Sequence, residues 1–223
     1  MVKKGAGKVK DKWKAKQWVT VLASPSFGNA PIGRVPLTDI EKPGGRVVET
    51  TLYDILKQDP QHYAFKLYFQ IDRVDGDTAY TVLKGHEYSR EYLRSLIRRG
   101  SSMSDFIKDY VTKDGYTVRV YCIALSQGRM NSSKKHEIRR VMDAVISQRA
   151  SSLTYDQFVQ ETVLQKVASD VYNEAKNVTR LRHVGVRKTK LIIKPAPGPS
   201  VEGSPEEVPE PPAEAEVLAA PAA

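Results

Sequence analysis

With 223 residues, 40% of them hydrophobic, the chain can build one core of ordinary size plus tails. Its net charge of +9 and isoelectric point near 9.5 point to a polyanionic partner. A single cysteine, Cys122, excludes an intramolecular disulfide and any cysteine-cluster zinc site, and no apolar run approaches the ~20 residues of a membrane span.

Residues 1–16 carry Lys3, Lys4, Lys8, Lys10, Lys12, Lys14 and Lys16 against one acid, Asp11. Repulsion among these charges, with Gly5 and Gly7 loosening the backbone, predicts a disordered basic arm. The arm has no apolar core of the kind a signal peptide needs, so a cytoplasmic protein is expected. Order is expected from Gln17, where QWVTVL has strand character. Residues 24–45 contain four prolines and four glycines, which predicts an irregular surface loop. Arg46–Leu52 is a Val- and Thr-rich strand, followed by a helical turn over Tyr53–Lys57. Tyr63–Val74 and Thr78–Lys84 flank Asp75-Gly76-Asp77, a hairpin signal. A helix capped by Ser89 is expected to run to Gly100 with Tyr92, Leu93, Leu96 and Ile97 on its apolar face. Met103–Thr112 and Tyr116–Leu125 flank a second hairpin turn, Lys113-Asp114-Gly115.

Beyond residue 133 the period lengthens. Ile138, Val141, Met142, Val145 and Ile146 fall on one helical face. Thr154 and Gln157 form a capping box for a second helix bearing Phe158, Val159, Thr162, Val163 and Val167. A third helix is expected over Asp170–Lys176 and a last strand over Arg182–Ile193. The fold class is therefore α+β: a mainly antiparallel twisted sheet or small β-barrel with packed helices. Residues 17–193 form its single domain. Residues 194–223, rich in Pro, Glu and Ala, form a disordered acidic tail. From Pro195 onward stand Glu202, Glu206, Glu207, Glu210, Glu214 and Glu216 with no Lys or Arg; setting these six aside raises the remainder from +9 to +15.

Catalytic patterns are thin. His62, His86, His136 and His183 are scattered without metal-ligand spacing. Gly5-Ala6-Gly7-Lys8 lacks the spacing of a phosphate loop and the strand before it. Asp105, Asp109, Asp114 and Glu137 are the only loosely grouped carboxylates that a metal-dependent nuclease could use. The cationic segments are better organised. In the arm, Trp13 can stack on an unpaired base while lysines neutralise phosphate. Trp18 fits either that role or the first core position of its strand. Ser126–Lys135, with Arg129, Asn131, Ser132, Lys134 and Lys135, leads into Arg139 and Arg140. Its small residues let backbone approach phosphate, and Ser132 or Ser133 is placed to cap the helix that follows. A third group, Arg180, Arg182, Arg187, Lys188 and Lys190, lies on the last strand.

These segments in this order resemble the archaeal and eukaryotic small-subunit ribosomal protein family S-three-A-E, also called e-S-one. The resemblance rests on Lys12-Trp13 with Trp18, Ile32-Gly33, Gly45-Arg46-Val47 with Leu52, and Thr112 through Tyr116. It continues through Ser126–Arg140, Val171 through Lys176, and Val184 through Lys188. It implies a structural protein on the platform of the small subunit, near the messenger RNA exit and the 3′ end of the ribosomal RNA. The implied partners are that RNA, neighbouring ribosomal proteins and messenger RNA, with no cofactor, metal or catalytic residue. A free-standing RNA-binding translation or processing factor fits the composition equally well. The acidic tail departs from the family pattern.

If four or five of the seven arm lysines engage phosphate, deleting residues 1–16 flattens the log–log dependence of RNA affinity on salt. The expected change is roughly 3 to 4 on a single-strand coefficient of about 0.7 per contact. Affinity measured across a salt series for full and truncated chains checks this; equal slopes remove the arm from the interface.

Overall fold

The computed structural model describes residues 13–14, 16–37 and 45–195. Lys3, Lys4, Lys8, Lys10 and Lys12 of the expected arm, and the expected tail from residue 196, lie outside the described residues.

The first strand, β1 (Gln17–Leu22), turns Val19 and Val21 inward. Trp18 is 60% exposed, so it is not a core residue of that strand. β2 (Pro31–Leu37) pairs antiparallel with β1, which corrects the expectation of an irregular loop over this stretch. Proline-rich sequence is tolerated because β2 is an edge strand. Pro31 opens the strand. The Pro36 carbonyl accepts from Arg46 Nη1 at 2.8 Å, so the side of Pro36 that lacks an N–H faces away from β1.

β3 (Val47–Thr51) runs into α1 (Leu52–Leu56), which starts with a capping box between Thr51 and Asp54. The first expected hairpin is β4 (Phe65–Asp75) and β5 (Thr78–Tyr88), turning at Gly76 with φ 55°. β5 continues past Lys84, where the expected strand ended. α2 (Arg90–Leu96) is capped by Ser89, whose Oγ accepts from Tyr92 N–H at 3.4 Å. It stops short of Gly100: Ile97 is extended and 51% exposed, not part of the apolar face. The second hairpin is β6 (Met103–Val111) and β7 (Thr117–Ser126), with Gly115 at φ 76°.

Three helices follow: α3 (Ser132–Ser152), α4 (Tyr155–Val163) and α5 (Lys166–Ala175). The Gln157 side chain accepts from Thr154 N–H at 3.4 Å, as the capping box requires. α5 begins well before Asp170 because Gln165, at φ 63°, turns the chain sharply after α4. β8 (Leu181–Ile193) closes the sequence of elements.

All eight strands join one sheet, ordered β2-β1-β5-β8-β7-β6, with β4 on the other edge of β5 and β3 beyond it. Among the described residues only β1 and β5 pair in parallel, over Thr20–Val21 and Thr78–Ala79. Among the described residues β2, β3 and β6 each pair on one side only, so the sheet is open and not a barrel. One core joins sheet to helices: Leu67, Phe69, Val120 and Cys122 cluster with Ile138, Met142, Ile146, Phe158 and Val171. Phe158 is fully buried, and truncating it to Ala would cost about 3–5 kcal/mol, a large part of a typical domain's stability. A smaller core of Val19, Val21, Leu37, Ile71 and Ala79 sits where β1 meets β5. Burial pushes the Cys122 thiol up to about 12, so it stays protonated and inert.

At the β5–β8 junction His86 is fully buried. Its Nδ1 lies 2.8 Å from Thr189 Oγ1 and its Nε2 3.1 Å from the Val186 carbonyl. Burial lowers its pKa from 6.5 to about 4. Between these values the unfolded chain binds a proton that the folded chain refuses. The contribution of His86 is therefore whole above pH 6.5 and falls by roughly 3 kcal/mol as pH drops toward 4. Burial, then Arg182, lowers His183 as well, adding a loss of the same sign. Denaturation midpoints from pH 4 to 7.5 should show this decline, and His86→Asn should shallow it. A variant with the native slope would exclude His86 as its source.

Candidate nucleic-acid interface

The loop from β7 into α3 is held by backbone bonds to two distant segments. Ser126 N–H donates to the Ser102 carbonyl at 3.0 Å, and Gln127 N–H donates to the Arg180 carbonyl at 3.1 Å. Ser102 N–H donates to Ser126 Oγ at 3.0 Å, and Met130 N–H donates to Ser102 Oγ at 3.0 Å. These bonds bring Arg98 and Arg99, Arg129, and Arg180 to one rim of the sheet beside Lys134 and Lys135. All but the half-buried Lys135 are exposed, and none forms an ion pair among the described residues.

Asn131, not Ser132 or Ser133, occupies the cap position of α3, and its side chain makes no capping hydrogen bond. Ser132 is the first helical residue. The opening turn contains no acid, so its free N–H groups and the helix dipole face solvent with Lys134 and Lys135 beside them. Such a terminus is suited to a phosphate, which would also relieve the repulsion between lysine and dipole.

Other candidates stand elsewhere. Arg139 is drawn into the protein: its Nε donates to the Asp105 carbonyl at 2.9 Å and its Nη2 lies 3.5 Å from the Asp105 carboxylate. Arg140 is exposed on the same helix. Arg187 lies 5.9 Å from the centre of the Tyr121 ring, and Lys188 pairs with Glu87 at 3.0 Å. Six residues of extended chain separate Arg187 from Leu181 at the rim, or ~20 Å, so the fold does not bring the two groups together. Trp13 is 63% exposed with Lys16 Nζ 3.9 Å above its ring, and Lys14 beside it is exposed. The arm enters through β1, at the opposite end of the strand order from β6 and β7.

Three of the four carboxylates of the nuclease alternative serve structural partners. Asp105 meets Arg139, Asp109 meets Arg119 at 2.7 Å, and Asp114 accepts from Tyr155 N–H at 3.0 Å. Arg119 holds the Asp109 carboxyl below its usual range. Among the described residues no group of His, Cys, Asp and Glu could hold a metal ion, and no helix is long and apolar enough to cross a membrane.

The model of the Ribosomal S3Ae family matches residues 4–195. The chain belongs to this family. Relatives named small ribosomal subunit protein eS1 agree along most of their length. That of Desulfurococcus amylolyticus is 49% identical over 189 residues, covering 85% of this chain and 88% of the relative. That of Sulfurisphaera tokodaii is 45% identical over 188 residues, covering 84% and 97%. That of Saccharolobus islandicus is 42% identical over 199 residues, covering 89% and 95%. As a Ribosomal S3Ae protein of archaeal type, the chain is a structural component of a translating ribonucleoprotein and not an enzyme.

Arg98 and Arg99 join the candidate rim, although sequence patterns did not single them out. Their spacing within the α2–β6 connection carries no signal; it is the bonds of Ser102 to Ser126 and Met130 that tie this connection to the loop bearing Arg129. Replacing Arg98, Arg99 and Arg129 together with Ala should flatten the salt dependence of RNA binding by roughly 2 to 3. Because all three are exposed, circular dichroism should be unchanged. A native slope would show that this rim does not meet phosphate.

Proposed function

We propose that the chain is a structural constituent of the small ribosomal subunit and binds its RNA through the basic rim around the α3 N-terminus. The rim is supported by one observation above the others: backbone bonds gather Arg98, Arg99, Arg129 and Arg180 without a carboxylate counterpart among the described residues. Cations held together without internal partners favour an external polyanion, and charge neutralisation with counterion release supplies the affinity. The relatives' names support the small subunit as the setting. The resemblance in sequence supports a place on the platform near the messenger RNA exit, with neighbouring ribosomal proteins and messenger RNA within reach. In this reading the lysine arm threads among RNA helices while the rim docks against one, and the work is assembly and scaffolding in the cytoplasm.

Sedimentation through a high-salt sucrose gradient tests the proposal. The chain should stay with the small subunit after the wash. Complete release into the free-protein fractions would favour a detachable RNA-binding factor instead.

A further inference from the structure

Three buried side-chain polar atoms lack a hydrogen-bond partner among the described residues: His62 Nδ1, Arg182 Nη2 and His183 Nε2. All three side chains line one cleft of about 860 Å³ between the turn at Pro60–Ala64, α5 and the start of β8. Unsatisfied buried polar atoms are rare, and three around one space indicate a group that the chain itself does not provide. Arg182 can only donate, and each imidazole nitrogen donates in one of its tautomers, so a group rich in acceptors satisfies all three. The acid that lines the cleft, Asp59, already accepts from Gln61 N–H at 3.0 Å.

The remaining walls are aromatic and apolar. Tyr92 and Tyr172 line the cleft, with Tyr172 39% exposed at its mouth. Tyr92 meets the His183 ring edge-on, with centroids 6.2 Å apart, which helps fix an imidazole whose Nε2 is buried without a partner. The volume lies in the ~300–1,000 Å³ range of small-molecule sites. Flat rings, one fixed cation and two hydrogen-bonding imidazoles match an unstacked nucleotide, whose base offers a π face and whose edge and phosphate offer acceptors.

We propose that this cleft receives one unstacked nucleotide of the ribosomal RNA, with acceptors on Arg182, His62 and His183 and the base against Tyr92 or Tyr172. The assignment rests on the RNA-binding function proposed above. It adds a site that reads an unpaired base, apart from the rim that neutralises phosphate.

The test uses assembled small subunits containing the full chain. Ultraviolet irradiation followed by mass spectrometry should give a nucleotide adduct on a peptide carrying Tyr92, Tyr172 or His183. In parallel, Tyr172→Ala should weaken binding to small-subunit RNA by about tenfold at every salt concentration. Arg182→Gln should lower the salt slope by about 0.7. Tyr172 is a surface residue, so its variant keeps the fold, and melting curves verify both proteins. Cross-links from these peptides to a neighbouring ribosomal protein would overturn the proposal, as would both variants binding with native affinity and slope. Either result in a chain that still sediments with the subunit would leave the wider function standing, whereas a chain that never sediments would remove both.

Discussion

Three residue pairs, Gly85 with Lys190, His86 with Thr189 and Glu87 with Lys188, join the two halves of the sheet. On one side lie β1 to β4, carried by β5; on the other lie β6 and β7, carried by β8. So short a seam depends on closeness more than on length. A Cβ at Gly85 would fall 2.1 Å from the Thr189 carbonyl oxygen, so the two backbones touch where any side chain would part them. His86 fills the adjoining space and satisfies both ring nitrogens on β8. The Lys188–Glu87 pair nearby is over a third exposed at both ends, and pairs of that kind contribute only about 0.2–1 kcal/mol. The buried histidine is therefore the stronger device at the seam.

This arrangement decides where the charged features lie. The rim around α3 hangs from the end of β7 and the approach to β8, whereas the arm leads into β1. The three-pair seam and the core packed under the helices together fix one relative to the other. The cleft crosses it: His62 comes from the turn before β4, and Arg182 and His183 from the start of β8. A shift of the seam would move these side chains apart while leaving each half of the sheet internally paired.

Features governed by neighbours in sequence were legible before the fold was known. Asp75-Gly76-Asp77 and Lys113-Asp114-Gly115 specify their turns locally, as Ser89 and Thr154 specify helix starts. β2 was missed because Pro31 and Pro36 oppose a central strand, and nothing local marks an edge. The end of β5 was missed because Gly85 resembles a stop; its reason for being glycine is the backbone of β8, distant in sequence. Family resemblance identified the kind of protein, and the basic run at Ser126–Lys135 was visible in composition. Arg98 and Arg99 join that run through the bonds of Ser102. The cleft had no sequence signal, because an unpartnered nitrogen is defined by what packing fails to place beside it.

β6 has a consequence for the free chain. It pairs with β7 on one side, and among the described residues no strand covers its other edge, although Arg139 Nε occupies the Asp105 carbonyl. Met103, Ile107 and Val111 recur along it, all more than a third exposed. Open backbone with apolar side chains is a template for a strand from a second molecule. Such pairing grows with the square of the concentration of unassembled chain, while capture by RNA grows with the first power. An excess of unassembled chain over RNA would therefore favour pairing of one β6 with another, a bias written into one edge of the sheet.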